Sequence, residues 1–162
     1  MRAHEKKSAT PSLGRFREFI AERPAGSHYY AALLGLKNLD WPHLLRAVED
    51  GLPYDVFEQL RQASGLSADE ISTWLQLAPR TLTRRKQERR FAREESDRLL
   101  RAARVLGRAL ELFEGDRDAA VEWLTTPQRG LGGEPPIGVA RTEVGAREVE
   151  NLIGRIEHGV YS

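Results

Sequence analysis

The chain of 162 residues contains no cysteine and a single methionine. Without cysteine there is no disulfide, no thiolate metal site and no thiol nucleophile. No apolar run approaches the ~20 residues that a membrane span needs. The start, MRAHEKKSATPSLGRF, is charged but lacks the apolar segment of a signal peptide. These absences point to a soluble, cytoplasmic protein that does not engage a membrane. The four histidines, at positions 4, 28, 43 and 158, are scattered without ligand spacing, so no metal site is expected. No stretch alternates apolar and polar residues as a half-buried strand does. The expected class is therefore all-α.

A net charge of one sign is also missing, since the formal total is +1. The balance conceals an asymmetry. Residues 1–108 carry 20 Lys and Arg against 14 Asp and Glu, whereas residues 109–162 carry 5 against 10. A front half at +6 and a back half at −5 suggest two partners of different character.

Residues 1–12 show no apolar period and read as a disordered arm. Leu13, Phe16, Phe19 and Ile20 then follow a helical spacing that Pro24 and Gly26 interrupt. A helix capped by Ser27 is expected to reach Leu36. Another is capped by Asp40, with Pro42 in its first turn and Gly51 at its end. Short helices follow over about 53–63, 67–76 and 79–88. Ser96 and Asp97 are expected to open a longer helix whose stripe is Leu99, Ala103, Leu106, Leu110 and Phe113. That stripe is long enough to pack a core and to add dimer interface. Asp116 caps a short helix through Leu124, and residues 125–136 form a loop ordered by packing. The last helix runs from about Thr142 to His158, with Val149, Leu152, Ile153 and Ile156 facing the core. Glu143, Glu148 and Glu150, with Arg147 among them, read as solvated surface.

The stretch Ser67–Arg90, SADEISTWLQLAPRTLTRRKQERR, carries the clearest functional signal. Ser67 and Glu70 form a capping box. Pro79 suits the first turn of a second helix. Two short helices joined by a tight turn make a helix-turn-helix over 67–88. Seven basic residues and one acid lie between Pro79 and Arg93. Arginine and lysine neutralise phosphates, and arginine also reads guanine edges. The DNA-binding set is therefore Arg80, Thr81, Thr83, Arg84, Arg85, Lys86 and Arg89. Arg84, Arg85 and Lys86 are assigned to phosphates, and Arg80, Thr81 or Thr83 to bases. Two half-sites about 34 Å apart are the usual need of such a helix, which predicts a homodimer.

The enzyme reading finds little support. There is no nucleophile–base pair, and Gly132-Gly133 is not followed by the Lys-Ser/Thr of a phosphate loop.

The blocks P79-R-T-L-T-R-R-K86, E95-S-D-R-L-L100, A120-V-E-W-L124, L131-G-G-E-P-P-I137, T142-E-V-G145 and V149-E-N-L-I-G-R-I-E-H-G159 resemble, in that order, antitoxins of the Xre/MbcA/ParS type. The likeness covers about residues 53–162. It implies a type II toxin–antitoxin system, in which a helical region 13–93 with a helix-turn-helix precedes a toxin-binding domain, 94–162. It further implies a RES-domain toxin partner that consumes NAD, operator DNA as second partner, autorepression and no cofactor. An ordinary helix-turn-helix regulator with another protein partner is the alternative. The toxin-contacting set is Trp123, Leu131, Pro136, His158, Val160, Tyr161 and Ser162, the last three as a tail that enters the toxin's cleft. Two positions depart from the common helix-turn-helix pattern. Ser72 stands where alanine is frequent, and Gln76 where the turn usually has glycine. Gln76 in a left-handed conformation costs about 1 kcal/mol.

Overall fold

A computed structural model describes residues 11–22 and 28–159. Its helices are α1 (Pro11–Glu22), α2 (Trp41–Asp50), α3 (Asp55–Ser64), α4 (Ala68–Trp74), α5 (Pro79–Glu88), α6 (Arg93–Leu112), α7 (Arg117–Thr125), α8 (Pro136–Val139) and α9 (Glu143–Glu157). Two short 3-10 helices, Tyr29–Leu34 and Arg129–Leu131, complete the order. Among the described residues there is no strand, only the isolated bridges Pro53–Arg90 and Gln128–Glu134. The all-α expectation holds. No helix among the described residues is long and apolar enough to cross a membrane. The expected arm lies mostly outside the described residues, but α1 already starts at Pro11 and Ser12 is buried.

Local capping explains most boundaries. The Asp40 carboxylate accepts from the His43 N–H, Asp116 from Ala119, and the Thr142 hydroxyl from Gly145. Two boundaries differ from expectation. Ser27 lies outside the described residues, and the segment after it is a 3-10 helix starting behind His28, which makes no side-chain cap bond. The long helix α6 begins at Arg93, not at Ser96. Glu95 reaches back to the Ala92 N–H at 2.7 Å and starts the helix one turn earlier. Ser96 is fully buried inside α6, where its hydroxyl donates to Ala92 O and accepts from Leu52 N, both at 2.8 Å.

One core runs from Leu13 and Phe16 of α1 to Val149 and Ile153 of α9. Helix α6 sits in its middle. Leu99, Ala103, Val105, Leu106, Ala109 and Leu110 are all fully buried. The helix is amphipathic, and its apolar side is wholly covered while its arginines lie on the other side. This corrects the dimer expectation for the stripe Leu99–Leu110, because it is consumed by the core and offers no surface.

Two glycines are fixed by close approach. A Cβ at Gly51, where φ is +88°, would meet the Phe91 carbonyl oxygen at 2.2 Å. That approach brings the end of α2 against the α5–α6 connection. A Cβ at Gly145, in the first turn of α9, would lie 1.7 Å from the Val139 carbonyl oxygen. Helix propensity alone favours Gly145→Ala by up to ~1 kcal/mol. The contact has the opposite sign. We expect Gly145→Ala to lower the urea-unfolding free energy by about 1–3 kcal/mol, the usual cost of overpacking. A gain in stability would show that α8 and α9 do not approach in this way.

Candidate nucleic-acid and partner-binding surfaces

Helices α4 and α5 form the expected pair. Ser67 accepts from the Glu70 N–H and Glu70 accepts from the Ser67 N–H, completing the capping box. Ile71, Trp74 and Leu75 are buried beneath them. The turn closes with Leu77 N–H on Ser72 O at 2.9 Å. Gln76 adopts φ 55°, the left-handed conformation anticipated for it. Its cost is offset from α6, where the Arg98 guanidinium donates to Leu75 O at 3.0 Å and to Gln76 O at 3.3 Å. The turn is thus tied to the central helix.

Helix α5 buries no residue fully and half-buries Leu82 against its neighbours. Opposite Leu82, the spacing i, i+3, i+4, i+7 places Arg80, Thr83, Arg84 and Gln87 on one outer face. All four are exposed, as are Lys86 and Arg89. Among the described residues none of Arg80, Arg84, Lys86 and Arg89 has an ion-pair partner. Gln87 was not singled out from the sequence, although its helical phase relative to Arg80 and Arg84 marks it. Thr81 is half-buried. The Thr83 hydroxyl donates to Pro79 O at 3.1 Å, so its proton is committed within the helix.

Arg85 departs from expectation. Its Nε donates to Glu95 Oε1 at 2.6 Å and a terminal nitrogen to Glu95 Oε2 at 3.1 Å. The other terminal nitrogen meets Glu88 at 2.9 Å. This forked pair fixes α5 to the start of α6, and with the Glu88 bond it commits three of the five guanidinium N–H groups within the protein. Arg90 is also occupied, donating to Gly51 O at 2.7 Å at the end of α2. Burial pushes the Glu95 carboxyl upward, but the Arg85 guanidinium and the Ala92 N–H outweigh it and hold it below its ordinary 4.5.

The back half is organised by a second set of arginines. Arg101 and Arg104 of α6 meet Glu143 at 3.1 and 2.8 Å. Arg104 meets Glu150 at 2.6 Å, and Arg108 meets Glu157 at 3.1 Å. Glu143, Glu150 and Glu157 recur every seven residues and line one flank of α9. Glu143 and Glu150 are therefore half-buried clasps, not the solvated surface expected of them. Glu148 alone of that group is exposed without a partner.

The predicted toxin-contacting residues do not form one exposed patch. Trp123 is half-buried, with its ring 6.4 Å from Phe113. Leu131 is also half-buried against the core. Pro136 is buried at the first turn of α8, which removes it as a contact. His158 is exposed at the end of α9. Val160, Tyr161 and Ser162 lie outside the described residues. The exposed large apolar side chains among the described residues are Trp41, Leu45 and Val144.

Comparison with known proteins decides what this arrangement is. Residues 43–104 match the family model of the antitoxin Xre-like helix-turn-helix domain. Residues 108–159 match that of the antitoxin Xre/MbcA/ParS C-terminal toxin-binding domain. A Yersinia enterocolitica protein named antitoxin Xre is 35% identical over 163 residues, covering 100% of both chains. An antitoxin Xre of Photorhabdus laumondii is 37% identical over 147 residues, 90% of this chain and 99% of its own. A third, from Pseudomonas putida, is 30% identical over 144 residues. The chain belongs to the Xre antitoxin family. In this antitoxin, α6 spans both matched segments, so the helix that fixes the helix-turn-helix also grips the toxin-binding part.

The Arg85–Glu95 pair generates a test. A carboxyl held below its unfolded value stabilises above that value, and the contribution is lost as pH falls through the folded one. Glu95→Gln should lower the unfolding free energy at neutral pH by about 1–3 kcal/mol. It should also shrink the loss of stability that the wild type shows below its ordinary 4.5. Parallel acid-unfolding curves for the two proteins would show that Glu95 does not hold α5.

Proposed function

We propose that this Xre-family antitoxin silences a cognate RES-type toxin that consumes NAD, and represses their operon as a homodimer on operator DNA. The observation that carries the DNA half is the outer face of α5, where Arg80, Arg84 and Gln87 stand exposed beside Lys86 and Arg89. Cations without internal partners on the second helix of a helix-turn-helix are placed to meet phosphates and major-groove edges. Of the three residues assigned to phosphates from the sequence, Arg84 and Lys86 keep that role and Arg85 is engaged by Glu95. Arg80 carries the fork that reads guanine, and Gln87 has the group that pairs with adenine. The toxin half is supported by the match of residues 108–159 to a toxin-binding domain. The RES partner is supported by the resemblance of the blocks quoted from the sequence. The dimer is supported by the weak hold that one such unit has on a single half-site, and sedimentation should show a species near twice 18.3 kDa.

Operator titrations by mobility shift test the DNA assignment. Arg84→Ala should weaken all sequences alike and lower the salt slope by about one. Arg80→Ala should instead relax discrimination at one base pair, at a cost of about 1–3 kcal/mol. Unchanged binding by both variants would move the interface off α5. The toxin assignment is tested by co-expression with the RES-type toxin of the same operon. Growth and cellular NAD should recover only when the antitoxin is present, and failure to recover either would remove the RES partner.

A further inference from the structure

The two flanks of α9 are treated differently. One flank carries Glu143, Glu150 and Glu157, all clasped by arginines of α6. The opposite flank, by helical phase, carries Val144, Glu148, Leu152 and Arg155. Here the 3-10 helix Arg129–Leu131 packs so closely that a Cβ on Gly130 would meet Leu152 Cδ1 at 2.7 Å. Val144 is 75% exposed, and Leu152 is nearly covered. Arg155 is half-buried, and its Nε is buried with no hydrogen-bond partner. Arg129, beside Gly130, is exposed and also lacks an ion-pair partner. Glu148, the acid on the same stripe, is seven residues from Arg155. At 1.5 Å per residue that is about 10 Å along the axis, beyond ion-pair reach.

Among the described residues the Arg155 Nε is the one buried side-chain nitrogen or oxygen without a hydrogen-bond partner. Arg85, Arg98, Arg101, Arg104 and Arg108 are each matched to acids or carbonyls. A desolvated N–H without an acceptor is costly, and the two terminal nitrogens of Arg155, which among the described residues also lack partners but are not buried, are the atoms that an incoming acceptor reaches. We propose that the Val144–Arg155 flank of α9 is the toxin-contacting face, and that Arg155, with Arg129 beside the same crossing, receives a carboxylate side chain of the toxin. The proposal rests on the toxin-binding reading above and gives that site its chemistry. It also reverses the electrostatics expected from the sequence. The acids Glu143, Glu150 and Glu157 are spent on α6, and at the C-terminal end of the opposite flank the group left without a partner is a cation, which suits an incoming carboxylate. Val144 supplies an exposed apolar contact at the other end of the flank.

The test uses the full-length antitoxin and a catalytically inactive form of its operon's RES-type toxin, with affinity measured by calorimetry. Wild-type binding tests the reading on which the proposal rests, and no binding there would overturn both. Given wild-type binding, Arg155→Ala should weaken it about ten- to a hundredfold, and Arg155→Glu further. Arg155→Lys should recover only part, because it lacks the fork. Val144→Asp should weaken binding without altering operator affinity. The melting temperature of Arg155→Ala should equal or exceed that of the wild type, since removal relieves an unpaired N–H. Undiminished toxin affinity in Arg155→Ala and Arg155→Glu would overturn the proposal. So would a fall in melting temperature that accounts for the lost binding, since Arg155 would then be a structural residue.

Discussion

Helix α6 turns Leu99, Leu106 and Leu110 into the core and Arg98, Arg101, Arg104 and Arg108 toward its neighbours. The rest of the molecule is arranged by that double demand. Its buried side orders α1, α3 and α7 around it, because each must cover part of an apolar surface that water penalises. Its arginines then set positions rather than energies. Arg98 grips the carbonyls of the helix-turn-helix turn, and the next three arginines grip the acidic flank of α9. At its start, Glu95 both caps the helix and holds α5 through Arg85. Every surface proposed here for a partner is thus held by one helix.

The same helix explains why the charge asymmetry was misleading. The surplus of cations before residue 109 and of acids after it looked like two surfaces with two partners. Arg101, Arg104 and Arg108 come from the first group, and Glu111, Glu143, Glu150 and Glu157 from the second. They meet each other. Much of the asymmetry is therefore an internal interface seen along the chain. What remains outside is different. It includes a cationic face on α5 and a mixed flank on α9 on which, among the described residues, Glu148 and Arg155 are both unpaired.

What could be read from the sequence was local. The Ser67–Glu70 box, the Asp40, Asp116 and Thr142 caps, and the left-handed Gln76 are decided by neighbours within a few residues, and each stands where it was expected. The α4–α5 pair follows from them. The start of α6 was misplaced because Ser96 resembles a cap, while its real bonds, to Leu52 and Ala92, need a chain segment 44 residues away. The role of Arg85 was hidden for the same reason. Its partner lies beyond a reversal of the chain, and a basic run gives no sign of which member is already engaged. Arg155 is the extreme case, since a missing acceptor has no signature in the sequence.

The single core has a bearing on how long the protein's two surfaces last in the cell. Removing one element from a shared core uncovers apolar surface on the others. A protease that seizes the chain after residue 108 has to pull Val149 and Ile153 away from Leu106 and Leu110, and those leucines support the helix-turn-helix as well. Trimming either segment strips apolar cover from the core that the other shares. The durability of the helix-turn-helix surface is thereby coupled to that of the toxin-binding segment.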